Sequence, residues 1–194
     1  MKTGSTKDII TLPDERLRQS SEIITKIDSS TKALIRKMTE AALDWEKNRP
    51  HEVSTALAAV QIGELKSVII VREDFEDRDN KTFVPLINPV IVKQGGKLEE
   101  DFEGCLSVPD YYGKIMRSPK IKVKAKNIDG ETIFVKAEGF LARTLQHEID
   151  HINGITFVDH IKNDKDAFYK LTSSGELEKV DYDKEIKSSS VLWD

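Results

Sequence analysis

The stretch Gln146-His147-Glu148-Ile149-Asp150-His151 constrains this chain more than any other. It contains His-Glu-x-x-His, and two imidazoles four residues apart stack on one face of an α-helix, where both reach one metal ion. The flanks predict such a helix. Apolar residues recur at helical spacing through 140–145, and Asn153-Gly154 follows, where glycine can take the left-handed cap that ends a helix. Glu148, beside the first imidazole, can take a proton from a water activated by the metal, which is the arrangement of a metal-dependent hydrolase. The same five residues also arise by chance on a solvated helix, so a third ligand has to separate the two readings.

A candidate stands upstream, in Glu103-Gly104-Cys105-Leu106-Ser107-Val108-Pro109. A Cys105 thiolate, negative and soft, complements two imidazoles, and three protein ligands leave a fourth position open for catalysis. Taken alone, a lone cysteine also reads as a small buried hydrophobe. Cys105 is the single cysteine of the chain, which rules out an internal disulfide and is consistent with a reducing compartment.

The remaining pattern predicts an α+β fold, with a mostly antiparallel sheet packed around a central metal-binding helix, and 194 residues suit a single domain. Leu34, Met38, Ala41, Ala42 and Trp45 predict an amphipathic helix, capped by Ser29-Ser30-Thr31 and stopped at Asn48-Arg49-Pro50. Residues 67–71 read as a buried strand, and 83–92 as an extended segment whose prolines mark an edge or a bend. Ile121, Val123 and Ala125 alternate with lysines, turn at Asn127-Ile128-Asp129-Gly130 and return through 132–137 as a hairpin. Residues 8–20 read as an arm lying on the domain. The catalytic part spans 1–160, and 161–194 form an extension, a hairpin at 168–171 and 177–180 followed by a mobile tail around Ser188-Ser189-Ser190.

Composition sets several functions aside. Hydrophobic residues at 38%, charged residues at 33% and a net charge of -4 describe an ordinary soluble chain. No basic stripe interleaved with aromatics stands out, so nucleic-acid binding is not indicated, and the lysines of 120–126 are more simply the wet face of a strand. No apolar run approaches the roughly 20 residues that span a bilayer, and residues 1–8 lead into no signal-type core. The expected location is cytoplasmic, without membrane contact.

Three segments together resemble the motifs of the peptide deformylase family: Glu103-Gly104-Cys105-Leu106-Ser107, Gln146 to His151, and Ser54-Thr55-Ala56-Leu57-Ala58-Ala59-Val60-Gln61. The first two match in full. The third lacks both family glycines, with Ser54 and Ala56 in their places. The resemblance extends from about Ile9 to about Val158.

The resemblance implies hydrolytic removal of the formyl group from the N-terminal formyl-methionine of nascent polypeptides, yielding formate. One divalent ion, Fe(II) or Zn(II), would be held by Cys105, His147 and His151, with Glu148 as general base and then acid. The Gln61 amide and the Leu106 backbone N–H would meet the formyl oxygen, and Thr55, Ala56, Leu57 and Gly104 would lie beside the peptide. Arg117 stands where the family has an arginine and is expected to pair with Glu103. Asp150, Glu103 and backbone carbonyls are candidates to orient the imidazoles, while His51 and His160 read as ordinary loop histidines. The implied partners are an N-formylmethionyl peptide and, transiently, the ribosome where such substrates emerge. The altered third segment keeps open an amidohydrolase or metallopeptidase with another substrate. A catalytically silent metal-binding homologue would not need Glu148 or Gln61.

Overall fold

The computed structural model describes residues 4–47, 49 and 51–193. Helix α1 (Ser29–Glu46) buries Met38, Ala41, Ala42 and Trp45 along one stripe, as their spacing predicts. Its cap is Asp28, one residue earlier than expected. The Asp28 carboxylate accepts from the backbone N–H groups of Ser30 and Thr31, so Ser29-Ser30-Thr31 form the first turn. Of the predicted stop, Asn48 and Pro50 lie outside the described residues.

The chain continues through β1 (Ala56–Ala58), a 3₁₀ turn Ala59–Ile62, β2 (Val68–Arg72), β3 (Phe83–Gly95), β4 (Glu99–Cys105), β5 (Val108–Arg117), β6 (Lys120–Lys126) and β7 (Thr132–Glu138). Helices α2 (Gly139–Ile152) and α3 (Phe157–His160) follow, then β8 (Phe168–Leu171), β9 (Leu177–Lys179) and α4 (Ser190–Trp193). Strand pairing is antiparallel throughout but forms two sheets instead of one, in the orders β1-β2-β3-β6-β7 and β4-β5-β8-β9.

Helix α2 lies against the first sheet, where Ala142, Leu145, Ile149 and Ile152 meet Ala56, Ala58, Val60 and Val123. Full burial of one such leucine contributes about 1.5–3 kcal/mol. Helix α1 covers the opposite face over β1, β2 and the start of β3, packing Met38, Ala41 and Ala42 on Leu57, Val68, Ile70 and Ile87. The sheet thus positions both helices, and α2 carries its two histidines toward the second sheet.

Strand β3 is central, not an edge, because β2 and β6 flank it. The expected bend is present. Pro89 donates no hydrogen bond, and the pairing with β6 shifts register between Ile87 and Val90. Asn88 takes a positive φ of 53° there, held by hydrogen bonds between its side chain and the backbone of Ile24.

The N-terminal arm is stitched to the interior. Ile10 N–H donates to the Gln61 carbonyl (2.8 Å), Leu12 N–H to Ser107 (2.9 Å) and Ser21 N–H to Ile152 (2.8 Å). At the other end, β8 and β9 form the predicted hairpin, and β8 pairs with β5, so residues beyond 160 extend the second sheet. The tail expected to be mobile is folded: Ile186 and Leu192 are buried in a core shared with Cys105, Phe157 and Phe168. Among the described residues no helix is long and apolar enough to cross a membrane.

Candidate metal centre

Helix α2 sets His147 and His151 one turn apart, with ring centroids separated by 4.9 Å. Strand β4 ends opposite them. A register shift between Gly104 and Cys105 breaks its pairing with β5 and leaves the Cys105 Sγ 3.1 Å from His151 Nε2. Possible ligand atoms of Cys105, His147 and His151 all lie within 4.8 Å of one another, and all three residues are buried. Cys105 thus stands within reach of both imidazoles, where a third ligand would have to be.

The electrostatics fit a cation. Burial disfavours charge on His147, yet hydrogen bonds to Cys105 and Glu103 overcome it and hold the ring's pKa well above its ordinary value. A metal ion would displace that proton, since ligation needs the neutral ring. His151 is driven the other way, first by burial and then by the charge on His147, and stays neutral. Burial lifts the Glu148 carboxyl to about 7, and its Oε2 has no hydrogen-bond partner. A buried orphan carboxylate oxygen beside three soft and borderline donors is what a hydrolytic site would leave unpaired for its substrate water.

Glu103 orients the first histidine. His147 Nδ1 lies 2.9 Å from Glu103 Oε2, so its Nε2 is the atom left for the centre. The expected Arg117 pair is formed bidentately, at 2.9 and 3.0 Å. A second arginine, Arg143 on α2, was not anticipated. Its Nη1 reaches Glu103 Oε1 at 3.0 Å and the Ile115 carbonyl at 2.7 Å, and Nη2 reaches the Glu99 carbonyl. The signal was an arginine one turn before His147 on a flank that is otherwise buried. Burial opposes the charge on Glu103, but hydrogen bonds from His147 and Arg117 prevail and hold its pKa well below the carboxylate range. Asp150 does not touch an imidazole of the pair. It accepts from Arg117 (2.6 Å) and lies 2.7 Å from His160 Nε2, which brings His160 into the same network.

Gln61 reaches the centre from the 3₁₀ turn after β1. Its Oε1 accepts from Ala58 N–H at 2.8 Å, which turns Nε2 toward Cys105 Sγ (3.4 Å) and Ser107 Oγ (3.3 Å). A cavity of about 330 Å³ opens beside these groups, and its lining includes Thr55, Ala56, Gln61, Gly104, Cys105, Leu106, His147 and Glu148 together with Trp45, His51, Glu52 and Tyr112. Leu57 does not line it, because its side chain is buried under α1. β1 is the edge of its sheet, and Arg72 N–H donates to the Thr55 carbonyl. By antiparallel alternation, Thr55 and Leu57 face β2 while the backbone groups of Ala56 point outward. Neither Ser54 nor Ala56 has a positive φ, so neither position requires a glycine. Gly104 does: a Cβ there would lie 2.4 Å from the Tyr112 ring.

The family model for polypeptide deformylase matches residues 6–167. The chain belongs to the polypeptide deformylase family. The peptide deformylase of Thermomicrobium roseum is 41% identical over 160 residues, 81% of this chain and 86% of its own. That of Brucella suis is 35% identical over 181 residues, covering 91% of this chain and 99% of the relative. Among solved structures, the peptide deformylase from Synechococcus elongatus in complex with actinonin superposes with a TM-score of 0.71 at 35% identity, over 80% of this chain and 79% of that one. The Legionella pneumophila peptide deformylase gives 0.71 at 37% identity, over 82% and 86%.

Proposed function

We propose that this chain removes the formyl group from the N-terminal formyl-methionine of nascent polypeptides in the cytoplasm, releasing formate, and that Cys105, His147 and His151 hold one divalent ion, Fe(II) or Zn(II). The observation that carries this reading is the convergence of those three donors, with Cys105 and His147 on the cavity wall, beside the unpaired Oε2 of Glu148. An ion held there supplies Lewis acidity, which makes water a usable nucleophile near neutral pH. Glu148 takes the proton of the attacking water and returns it to the leaving amine, a task suited to a carboxyl that burial has lifted to about 7.

Charge gathering on the formyl oxygen is met by the Gln61 side-chain amide and the Leu106 backbone N–H. The Gln61–Ala58 hydrogen bond supports this role, because it fixes which end of the amide faces the centre. The peptide lies beside β1 as an added strand, bonding to the outward N–H and C=O of Ala56, with Thr55 and Leu57 setting the strand and Gly104 opposite. Transient contact with the ribosome would bring such substrates to the cavity.

The test is release of formate from a formyl-methionyl peptide by protein purified without oxygen and loaded with Fe(II). Glu148→Ala should lose at least about a hundredfold in rate, the usual worth of a general base, while retaining its metal. Metal-loaded wild-type protein that releases no formate would overturn the reading.

A further inference from the structure

The lysines of β6 do not stand alone. The face of the first sheet turned away from α2 is covered by α1 only as far as the start of β3, and beyond that it is open. Across this open part the register sets Lys93 of β3 opposite Lys122 of β6, and Lys122 opposite Lys136 of β7, three lysines directly abreast. The adjacent row is Val90, Lys124 and Phe134. Val90 is 57% exposed and Phe134 55%, and the Lys122 ammonium sits 4.4 Å from the Phe134 ring centroid. Lys126 extends the ladder toward Ile87 and Thr132.

Like charges directly opposite one another destabilise a sheet. In a chain of net charge -4, acidic residues are plentiful enough to pair these lysines. Among the lysines of this face, the described ion pairs include Lys120 with Glu138 at 3.0 Å. Among the described residues, Lys93, Lys122, Lys124, Lys126 and Lys136 form no ion pair. The sequence shows lysines on alternate positions of one strand, whereas the fold adds Lys93, Lys136 and Phe134 to the same surface. A self-repelling row beside an exposed aromatic is arranged for an anionic polymer that supplies the missing charges and stacks on the ring.

We propose that this open face of β3, β6 and β7 docks single-stranded RNA, with Lys93, Lys122 and Lys136 on successive phosphates and a base against Phe134. A lipid surface fits less well, because Lys124 stands between Val90 and Phe134 and the two apolar side chains form no continuous patch. The face is on the opposite side of the sheet from α2, so docking leaves the metal centre and its cavity open. Lys136 on the edge strand β7 also suits protection against edge-to-edge pairing, and the test separates that role from docking.

A fluorescent oligouridylate serves as the probe for the metal-loaded protein, with anisotropy read across a salt series. Three phosphate contacts at a log–log slope of about 0.7 each predict roughly a hundredfold loss of affinity for a tenfold rise in salt. Lys122→Glu should weaken binding at least tenfold and raise Tm, since Lys93 and Lys136 then face a carboxylate. Lys136→Glu should weaken binding likewise, and Lys187→Glu, the same charge change on the C-terminal segment, should not. Formate release from a short peptide stays unchanged in all three. The proposal falls if the probe does not bind at low salt, if Lys122→Glu binds it as wild type does, or if phosphatidylserine vesicles are bound in preference. Aggregation of Lys136→Glu with wild-type RNA binding would leave edge protection alone and overturn it as well.

Discussion

Glu103 is the residue on which the centre's geometry turns, because three cationic or proton-bearing groups converge on one buried carboxylate. Arg117 and Arg143 fix it from two directions, and it in turn fixes the tautomer of His147. Removing one arginine leaves the carboxylate under-compensated, and breaking a buried pair from one side costs about 3–5 kcal/mol. Arg117→Ala and Arg143→Met should therefore both lower Tm and lose metal faster, by about 10–100-fold in affinity, as read by metal content after dialysis against a chelator. Arg143→Lys should recover little, since a point charge cannot reproduce a fork that spans Glu103, Ile115 and Glu99. Unchanged metal content in Arg117→Ala would refute the clamp. Gln61→Ala should cut kcat by about a hundred- to a thousandfold, the effect of losing one donor to a developing oxyanion, and should leave metal content alone. The candidate donors that now lie together could be picked out in the sequence, His147, Glu148 and His151 because the spacing of their motif is itself the geometry, and Cys105 because its segment resembles a family motif. Arg143 was not, because its partners on β4 and β5 lie about forty and thirty residues away in sequence and only the fold brings them together.

At the scale of elements, contacts with α1 hold the entry to β1 where Ser54 and Ala56 stand in place of the family glycines. Ser54 N–H donates to Glu46 of α1, and Glu46 also pairs with Arg72 of β2, so the last turn of α1 pins the entry to β1 from outside the sheet. With Ala56 in ordinary extended geometry, the two missing glycines remove no backbone conformation the strand uses. The arm is held by the same helix. Asp44 on α1 accepts from the Thr6 backbone at 2.9 Å, and the arm then bonds the carbonyls of Gln61 and Ser107. The Thr6 N–H, followed by Lys47, lowers the Asp44 carboxyl from 3.8 to about 2. A folded pKa below the ordinary value means this contribution is present above about pH 4 and is lost as pH falls through about 2. Asp44→Asn should remove that acid dependence and speed hydrogen exchange at Ile10 and Leu12 at neutral pH, while exchange within α2 stays slow. Equal protection of those two amides in wild type and variant would show that the arm is held by other contacts. The sequence indicated an arm but not its anchor, since its two short 3₁₀ turns, Thr6–Asp8 and Glu15–Arg18, carry no periodicity. The prolines of β3 pointed to the bend but not to its place inside the sheet, because the bulge at Pro89 is held by the Asn88 bonds to Ile24, a contact that no local pattern encodes.

At the scale of the whole molecule, the candidate centre is a tie between two sheets. His147 and His151 arrive on the helix packed against the first sheet, whereas Cys105 ends a strand of the second and belongs to the core that the C-terminal segment closes. That division was hidden from the sequence because strand pairing across β5 and β8 is non-local, and so the tail read as mobile. Leu192, 2% exposed, seals this second core, and Arg18 reaches its carbonyl at 3.0 Å. Leu192→Ala should cost about 2–5 kcal/mol, visible as a lower Tm in protein that still binds metal. An ion bound only by the folded chain adds about 2.7 kcal/mol at a hundredfold excess over its Kd. Chelation should accordingly lower the wild-type Tm, and adding Zn(II) back should restore it. Cys105→Ala severs the tie at the second sheet while leaving both histidines on α2, so its Tm should respond to added Zn(II) far less than that of the wild type. An equal rise in Cys105→Ala would mean that the two histidines hold the ion without the thiolate, and that the sheets are joined by packing alone.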